Sequence, residues 1–267
     1  MFIGYLRKDY EDALESLSKS NTLLDIDLLK HTYHAYPEYC FAAYEGGEIV
    51  GVISGYRFEK SIFVNVFEVN ESYEDIYERL LRLFITNCNG LDVVLLIETK
   101  RYQKLKGFDF KTHSDFVRFM YSGEAVAFNF SNTHAKQVAA SNYDEVSKEI
   151  DKSVFSEDRH EYIGKDLVFS NSLKLGTQSG FLHSYVVNKK YIKISPWLMK
   201  NEAFLDAEKL LRAVLYYRGL KKIYAYAPMV KEIIDLYDSY KFKKEESFKL
   251  VYLNNMPEIK LENLYAI

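Results

Sequence analysis

Ser61-Ile62-Phe63-Val64-Asn65-Val66-Phe67-Glu68-Val69-Asn70-Glu71-Ser72-Tyr73-Glu74-Asp75-Ile76-Tyr77-Glu78-Arg79-Leu80-Leu81-Arg82-Leu83-Phe84 runs on, through Gly90, to Val93-Val94-Leu95-Leu96-Ile97. Its first nine residues are rich in β-branched and aromatic side chains, the composition of a strand. From Tyr73 the period changes. Tyr73, Ile76, Tyr77, Leu80, Leu81 and Phe84 fall on one face of a 3.6-residue helix. Asn70 or Ser72 is the candidate N-cap, with Ser72-x-x-Asp75 close to a capping box, and Gly90 marks the stop. Val93 to Ile97 is a continuous apolar run, the pattern of a strand covered on both faces.

Working outward, Phe2 to Arg7 reads as a short strand. Tyr10, Ala13, Leu14 and Leu17 predict a helix from Asp9, and Asp25 to His34 predicts a second that stops before Pro37. Tyr39 to Tyr44 and Glu48 to Phe58 are strands about the turn Gly46-Gly47, so an antiparallel meander leads into Ser61. Beyond Ile97, Lys100 to Leu105 predicts a short helix ending near Gly107-Phe108, and Phe116 to Tyr121 a strand.

The second half repeats this order. Ala125 to Ser131 reads as a strand and His134 to Val154 as largely helical, with Asp158 to Tyr162 helical too. Gly180 to Val187 and Tyr191 to Ser195 are strands, Ala203 to Tyr217 a helix, Ile223 to Ala227 a strand, Val230 to Ser239 a helix and Phe248 to Leu253 a strand. Glu78-Arg79-Leu80-Leu81-Arg82 matches Glu208-Lys209-Leu210-Leu211-Arg212, Gly90-Leu91 matches Gly219-Leu220, and Met120-Tyr121 matches Val251-Tyr252. The near-constant offset implies two copies of one α+β fold, each a mixed sheet flanked by helices. A solenoid would repeat at a period of roughly 20–50 residues. The expected domains are 1–123 and 124–267, with the boundary near Gly123.

Composition narrows the function classes. The 267 residues are 48% apolar, which excludes wholesale disorder. Net charge is only −3, so no basic excess points to nucleic acid or an anionic membrane. Lys189-Lys190, Lys221-Lys222 and Lys241-x-Lys243-Lys244 read as solvated turns and helix ends. Cys40 and Cys88 cannot make a disulfide framework and are expected to be buried and reduced. The N-terminus carries Asp9, Glu11 and Asp12 and no apolar core of a signal peptide, and the longest apolar run falls far short of a membrane span. A cytoplasmic protein is expected. His31-x-x-His34 followed by Cys40 lacks a fourth ligand, and His160-Glu161 lacks the second histidine of a zincin, so no metal is expected.

Glu45-Gly46-Gly47-Glu48-Ile49-Val50-Gly51, Ser61 to Val69 and Tyr102-Gln103-Lys104-Leu105-Lys106-Gly107-Phe108 together resemble the GNAT family of acyl-CoA N-acyltransferases: its hairpin, its fourth strand and its tyrosine-to-Gly-Phe segment. The second half resembles the GNAT-like C-terminal domain of tandem members, on Asp151-x-x-x-Phe155-x-x-Asp158-Arg159 and Ser195-Pro196-Trp197. The resemblance implies two tandem GNAT-like domains, with acetyl-CoA as acyl donor and an amine-bearing acceptor. It implies that the donor lies beside Phe67 and Val69, with Ser72 and Tyr73 at the following helix start. It also implies Tyr102 as the acid that protonates the thiolate. Tyr237 keeps a similar spacing in the second half.

Glu68 is the carboxylate on the strand that resembles the donor strand, and so the candidate base. One departure from the family pattern stands out. The family holds the donor's pyrophosphate on a glycine-rich turn, (Gln/Arg)-x-x-Gly-x-(Gly/Ala), at a helix N-terminus. Here Val69 to Ile76 has no glycine and carries Glu71, Glu74 and Asp75 instead. Two lost hydrogen bonds to phosphate, at about 1.5–3 kcal/mol each, correspond to roughly 10²–10⁴-fold in affinity. Two readings therefore stand: an N-acyltransferase, or a catalytically inactive module of the same fold that binds a small molecule or protein.

Overall fold

The computed structural model describes residues 1–123, 139–140, 145–219 and 221–267. They fall into two units, Met1–His113 with Lys249–Pro257, and Ser114–Phe248 with Glu258–Ile267. Compared with a cut at residue 123, the first unit cedes Ser114–Gly123 and gains Lys249–Pro257.

In unit 1 the strands are β1 (Phe2–Tyr5), β2 (Cys40–Glu45), β3 (Glu48–Arg57), β4 (Ser61–Val69) and β5 (Asp92–Glu98), in that spatial order. All neighbours are antiparallel except β4 and β5, which run parallel. The helices are α1 (Tyr10–Ala13), α2 (Glu15–Ser20), α3 (Ile26–Ala35) and α4 (Ile76–Asn87). The helix expected from Asp9 is thus broken into α1 and α2. The apolar stripe of α4, from Ile76 to Phe84, packs on Phe41, Ile53, Ile62, Val64 and Leu95 to make the core. Asp25 caps α3 through the Leu28 N–H at 3.1 Å. The capping box at Ser72-x-x-Asp75 is not formed. Asn70 accepts from the Ser72 N–H at 3.0 Å and caps a single 3₁₀ turn, Glu71–Tyr73, while α4 starts at Ile76 without a side-chain cap. The short helix after β5 is a 3₁₀ segment, Thr99–Leu105.

Unit 2 repeats the plan. β6 (Lys111–Tyr121) starts in unit 1 and continues here from Ser114. The others are β7 (Ala139–Ala140), β8 (Leu173–Thr177), β9 (Gly180–Val187), β10 (Tyr191–Met199), β11 (Lys222–Pro228) and β13 (Leu264–Ala266), with α5 (Glu145–Phe155), α6 (Phe204–Arg218) and α7 (Lys231–Ser239). The order is β6-β11-β10-β9-β8-β7, with β13 on β10, and β10 and β11 run parallel. The remaining strand, β12 (Lys243–Leu253), is shared: it passes from unit 2 into unit 1 at Lys249, and its Val251 is fully buried in the unit 1 core beside β5.

The matched helix segments, 78–82 and 208–212, lie on α4 and α6. The matched strand pairs Met120-Tyr121 and Val251-Tyr252 lie on β6 and β12, the strands that each contribute residues to the other unit. Part of the stretch expected to be helical, Ala139–Ala140, is instead a strand on β8, and helix α5 is observed from Glu145. The strand expected at 125–131, the expected helix residues 134–138 and 141–144, and Leu220 lie outside the described residues. β8 and β13 had no counterpart in the sequence reading. β8 is interrupted by lysine and glycine, and β13 is only three residues long. Both cysteines are buried and unpaired as thiols.

Candidate functional site

The parallel ladder of β4 and β5 holds for four residue pairs, Ser61↔Asp92 to Val64↔Leu95, and then stops, although β4 continues to Val69 and β5 to Glu98. The cause lies one residue further on. Gly55 of β3 pairs with Val64 and Ser54 with Val66, so Asn65 is the extra residue of a β-bulge. A bulge bends its strand and increases its twist, which turns β4 away from β5. Asn65 is held on both sides: Ser54 Oγ donates to its Oδ1 at 2.8 Å, and its Nδ2 donates to Thr32 Oγ1 of α3 at 2.7 Å. Opposite the bulge, Gly55 allows close packing, since a Cβ there would meet Phe84 Cζ at 2.5 Å.

Past the bulge, among the described residues, the β4 ladder continues with β3 alone. The Asn70 N–H donates to Val50 O of β3 at 2.9 Å, and backbone direction alternates along a strand. Glu68 therefore shares its backbone groups with β3, while Phe67 and Val69 turn theirs toward the side where pairing with β5 has ended. The Phe67 side chain stacks on Tyr77 of α4 at 4.0 Å between centroids. Val69 is buried, Tyr73 packs at the edge of the core, and Ser72 is exposed.

Glu68 points to the other face of the sheet from Phe67. Arg101 Nη1 lies 3.6 Å from Glu68 Oε2, and Arg101 Nε lies 3.3 Å from Glu98 Oε2. The Asn21 side chain also bonds Glu68. Burial pushes the Glu68 carboxyl up to about 7, against the opposing pull of Arg101, and the nearby Glu98 adds to the rise. Glu98 Oε2 is buried and has no hydrogen bond, though two cations lie at 3.3 Å. Arg101 and Lys104 both stand over Tyr77, at 5.9 and 5.8 Å from its centroid. Lys104 Nζ also reaches the helix start, 2.6 Å from Glu74 Oε2 and 3.2 Å from Glu74 O. This bond holds the Glu74 carboxyl below its ordinary range.

Glu68 and Tyr102 are not joined by any described contact. The Tyr102 hydroxyl accepts from Thr112 Oγ1 at 3.1 Å, and Lys249 Nζ lies 5.7 Å from its ring. The residue of the 3₁₀ segment that meets Glu68 is its neighbour, Arg101. Tyr237 is fully buried and its hydroxyl is spent on Tyr265 O at 3.0 Å, so its spacing serves packing. Asp151 and Arg159 form a buried fork in unit 2, at 2.8 and 3.2 Å. Sequence reasoning missed Asn21, Asn65, Glu98 and Arg101. The available signals were Asn65, an amide within an apolar strand, and Glu98 to Arg101, charged residues directly after a buried parallel strand.

No family model and no curated protein matches the chain in sequence. Solved structures do match. A provisionally assigned acetyltransferase from Pyrococcus horikoshii aligns with 100% of this chain and 93% of its own, at 20% identity and a TM-score of 0.79. A GCN5-related N-acetyltransferase from Sphaerobacter thermophilus covers 100% and 98% at 9% identity and 0.56, and one from Kribbella flavida 94% and 71% at 11% and 0.51. At such identities the likeness speaks for architecture alone: the chain has the α+β fold of the GCN5-related N-acetyltransferases.

Proposed function

We propose that this chain is an N-acyltransferase that moves an acetyl group from acetyl-CoA to an amine, working from unit 1. The observation that carries the reading is the parting of β4 from β5 beyond Val64. It leaves the backbone groups of Phe67 and Val69 facing an open edge, and the donor's amide-bearing arm can pair there as an added strand does. Ser72 and Tyr73 stand at the phosphate end. Arg101 and Lys104 supply positive charge where the sequence lacks a glycine-rich turn.

The donor brings an activated thioester carbonyl; the chain's own groups handle the protons. Glu68 accepts a proton from the acceptor's ammonium, directly or through water, and a carboxyl poised near 7 suits that task at neutral pH. The freed amine forms the C–N bond and the C–S bond breaks. Tyr102 gives its phenol proton to the departing thiolate while Thr112 holds its oxygen, and the second proton of the new amide nitrogen returns to the Tyr102 oxygen, directly or through water. The Glu68 and Glu98 carboxylates favour a cationic acceptor.

Acetyl-CoA at 100 times its Kd is expected to stabilise the chain by about 2.7 kcal/mol in thermal unfolding. Thiol release with a panel of primary amines then follows turnover, and Glu68→Gln abolishes it. Absence of stabilisation at millimolar acetyl-CoA, with no thiol release, refutes the proposal. A second reading, a non-catalytic module of this fold, is favoured by the acidic, glycine-free start of α4. It predicts stabilisation by some other ligand and indifference to Glu68→Gln.

A further inference from the structure

The opening beside β4 has a counterpart in unit 2, and there it is filled. β10 and β11 pair in parallel for four residues, Tyr191↔Lys222 to Ile194↔Ala225, a register displaced by 130 residues from that of β4 and β5. Directly after, β10 slips register against β9 between Ile194 and Trp197, as β4 does at Asn65. Here the freed edge of β10 is taken by β13, with Trp197 opposite Ala266 and Leu198 opposite Leu264 and a register shift between the two pairs. On the other side the Ile267 N–H donates to Tyr226 O of β11 at 3.0 Å. Segment 264–267 therefore bonds to both diverging strands. Asn263 Nδ2 donates to Met199 O at 2.7 Å, and Tyr237 Oη donates to Tyr265 O at 3.0 Å. Leu264 and Ala266 are fully buried.

We infer that the β10/β11 groove is a binding site for an extended strand, occupied in cis by residues 264–267, and that the chain therefore offers an acyl donor one groove and not two. The stoichiometric half rests on the proposed function; the strand-site half does not. A parted strand edge presents alternating N–H and C=O groups that any extended amide chain can satisfy, whether a peptide or the donor's arm. Unit 2 meets that demand with its own backbone. Unit 1 has no such segment between β4 and β5 among its described residues.

The test uses the full chain and two ligands. Calorimetry with coenzyme A is expected to give one site per chain. Two sites overturn the occlusion; no site refutes the proposed function and leaves the strand site to be decided by peptide. Ala266→Lys places an ammonium at a fully buried strand position and expels the segment. A fluorescent peptide of residues 260–267 then binds this variant roughly tenfold or more tighter than the wild type. Tyr237→Phe combined with Asn263→Ala removes two side-chain ties without adding charge, and serves if Ala266→Lys does not fold. Peptide uptake by a folded variant, and not by the wild type or with a scrambled peptide, supports the inference. No uptake by either variant, or equal uptake by the wild type, overturns it.

Discussion

Replacing Glu68 with glutamine removes one titration and keeps the side chain's shape, and its effect on stability has a defined sign. The folded chain holds a proton on Glu68 up to about pH 7, whereas the unfolded chain releases it near the ordinary value of 4.5. Across that window the unfolded state binds fewer protons, so stability falls as pH rises. At about 1.4 kcal/mol per pH unit the full effect is about 3 kcal/mol. The Glu68 side chain keeps 28% of its surface in water, so about 1–3 kcal/mol is the expected range after screening. The wild-type curve alone hides the effect. Burial pushes His183 down from 6.5 to about 3, which makes stability rise with pH over that range. The two slopes oppose each other between 4.5 and 6.5. Subtracting the Glu68→Gln curve cancels the His183 contribution, which both proteins share. Urea unfolding at about pH 5 and about pH 8 is the assay. The variant should gain about 1–3 kcal/mol on the wild type between the two conditions. A difference constant to within about 0.5 kcal/mol would mean that Glu68 titrates as an ordinary carboxylate, and the argument for a base poised near neutrality fails with it.

Other substitutions test the surrounding geometry. Asn65→Ala leaves Ser54 and Thr32 without their amide partner and is expected to cost about 1–3 kcal/mol in urea unfolding. Gly55→Ala drives a methyl into Phe84 across from the bulge and costs about 1–3 kcal/mol by the same assay; an unchanged midpoint would show that the contact yields freely. Lys104→Met weakens coenzyme A binding by roughly 10–100-fold and flattens its salt dependence, as loss of a charged phosphate contact requires. Glu74→Gln releases Lys104 from its ion pair and tightens the same binding; weaker binding would place the phosphates elsewhere.

Much of the frame was legible because its signals are local. The stripe from Tyr73 to Phe84 and the run from Val93 to Ile97 have clear periods, and the structure has a helix from Ile76, after a 3₁₀ turn that ends at Tyr73, and a strand at the second run. The turn at Gly46-Gly47 is equally local: both glycines adopt positive φ. What escaped depends on partners far along the chain. Nothing around residue 265 announces a strand until the freed edge of β10 is present to receive it. Glu68 was identifiable as a carboxylate on the exposed-edge strand. Its raised affinity for a proton comes from burial, with Glu98 adding to it and Arg101 and Asn21 opposing it, and those surroundings are assembled from two other segments. Tyr237 keeps the tyrosine spacing in the second half, and the fold uses its hydroxyl to anchor a backbone carbonyl.

The shared strand β12 has a consequence for biosynthesis. Unit 1 is built from residues up to His113 and from Lys249–Pro257, with Val251 fully buried in its core. A ribosome adding 5–20 residues per second needs roughly 7–27 s to travel from one stretch to the other. Throughout that interval the nascent first unit carries an unfilled slot beside β5, and only the late arrival of β12 completes it. A chaperone or a tethered nascent chain has that long to act on it, and a message truncated before codon 249 yields a polypeptide whose first unit cannot close.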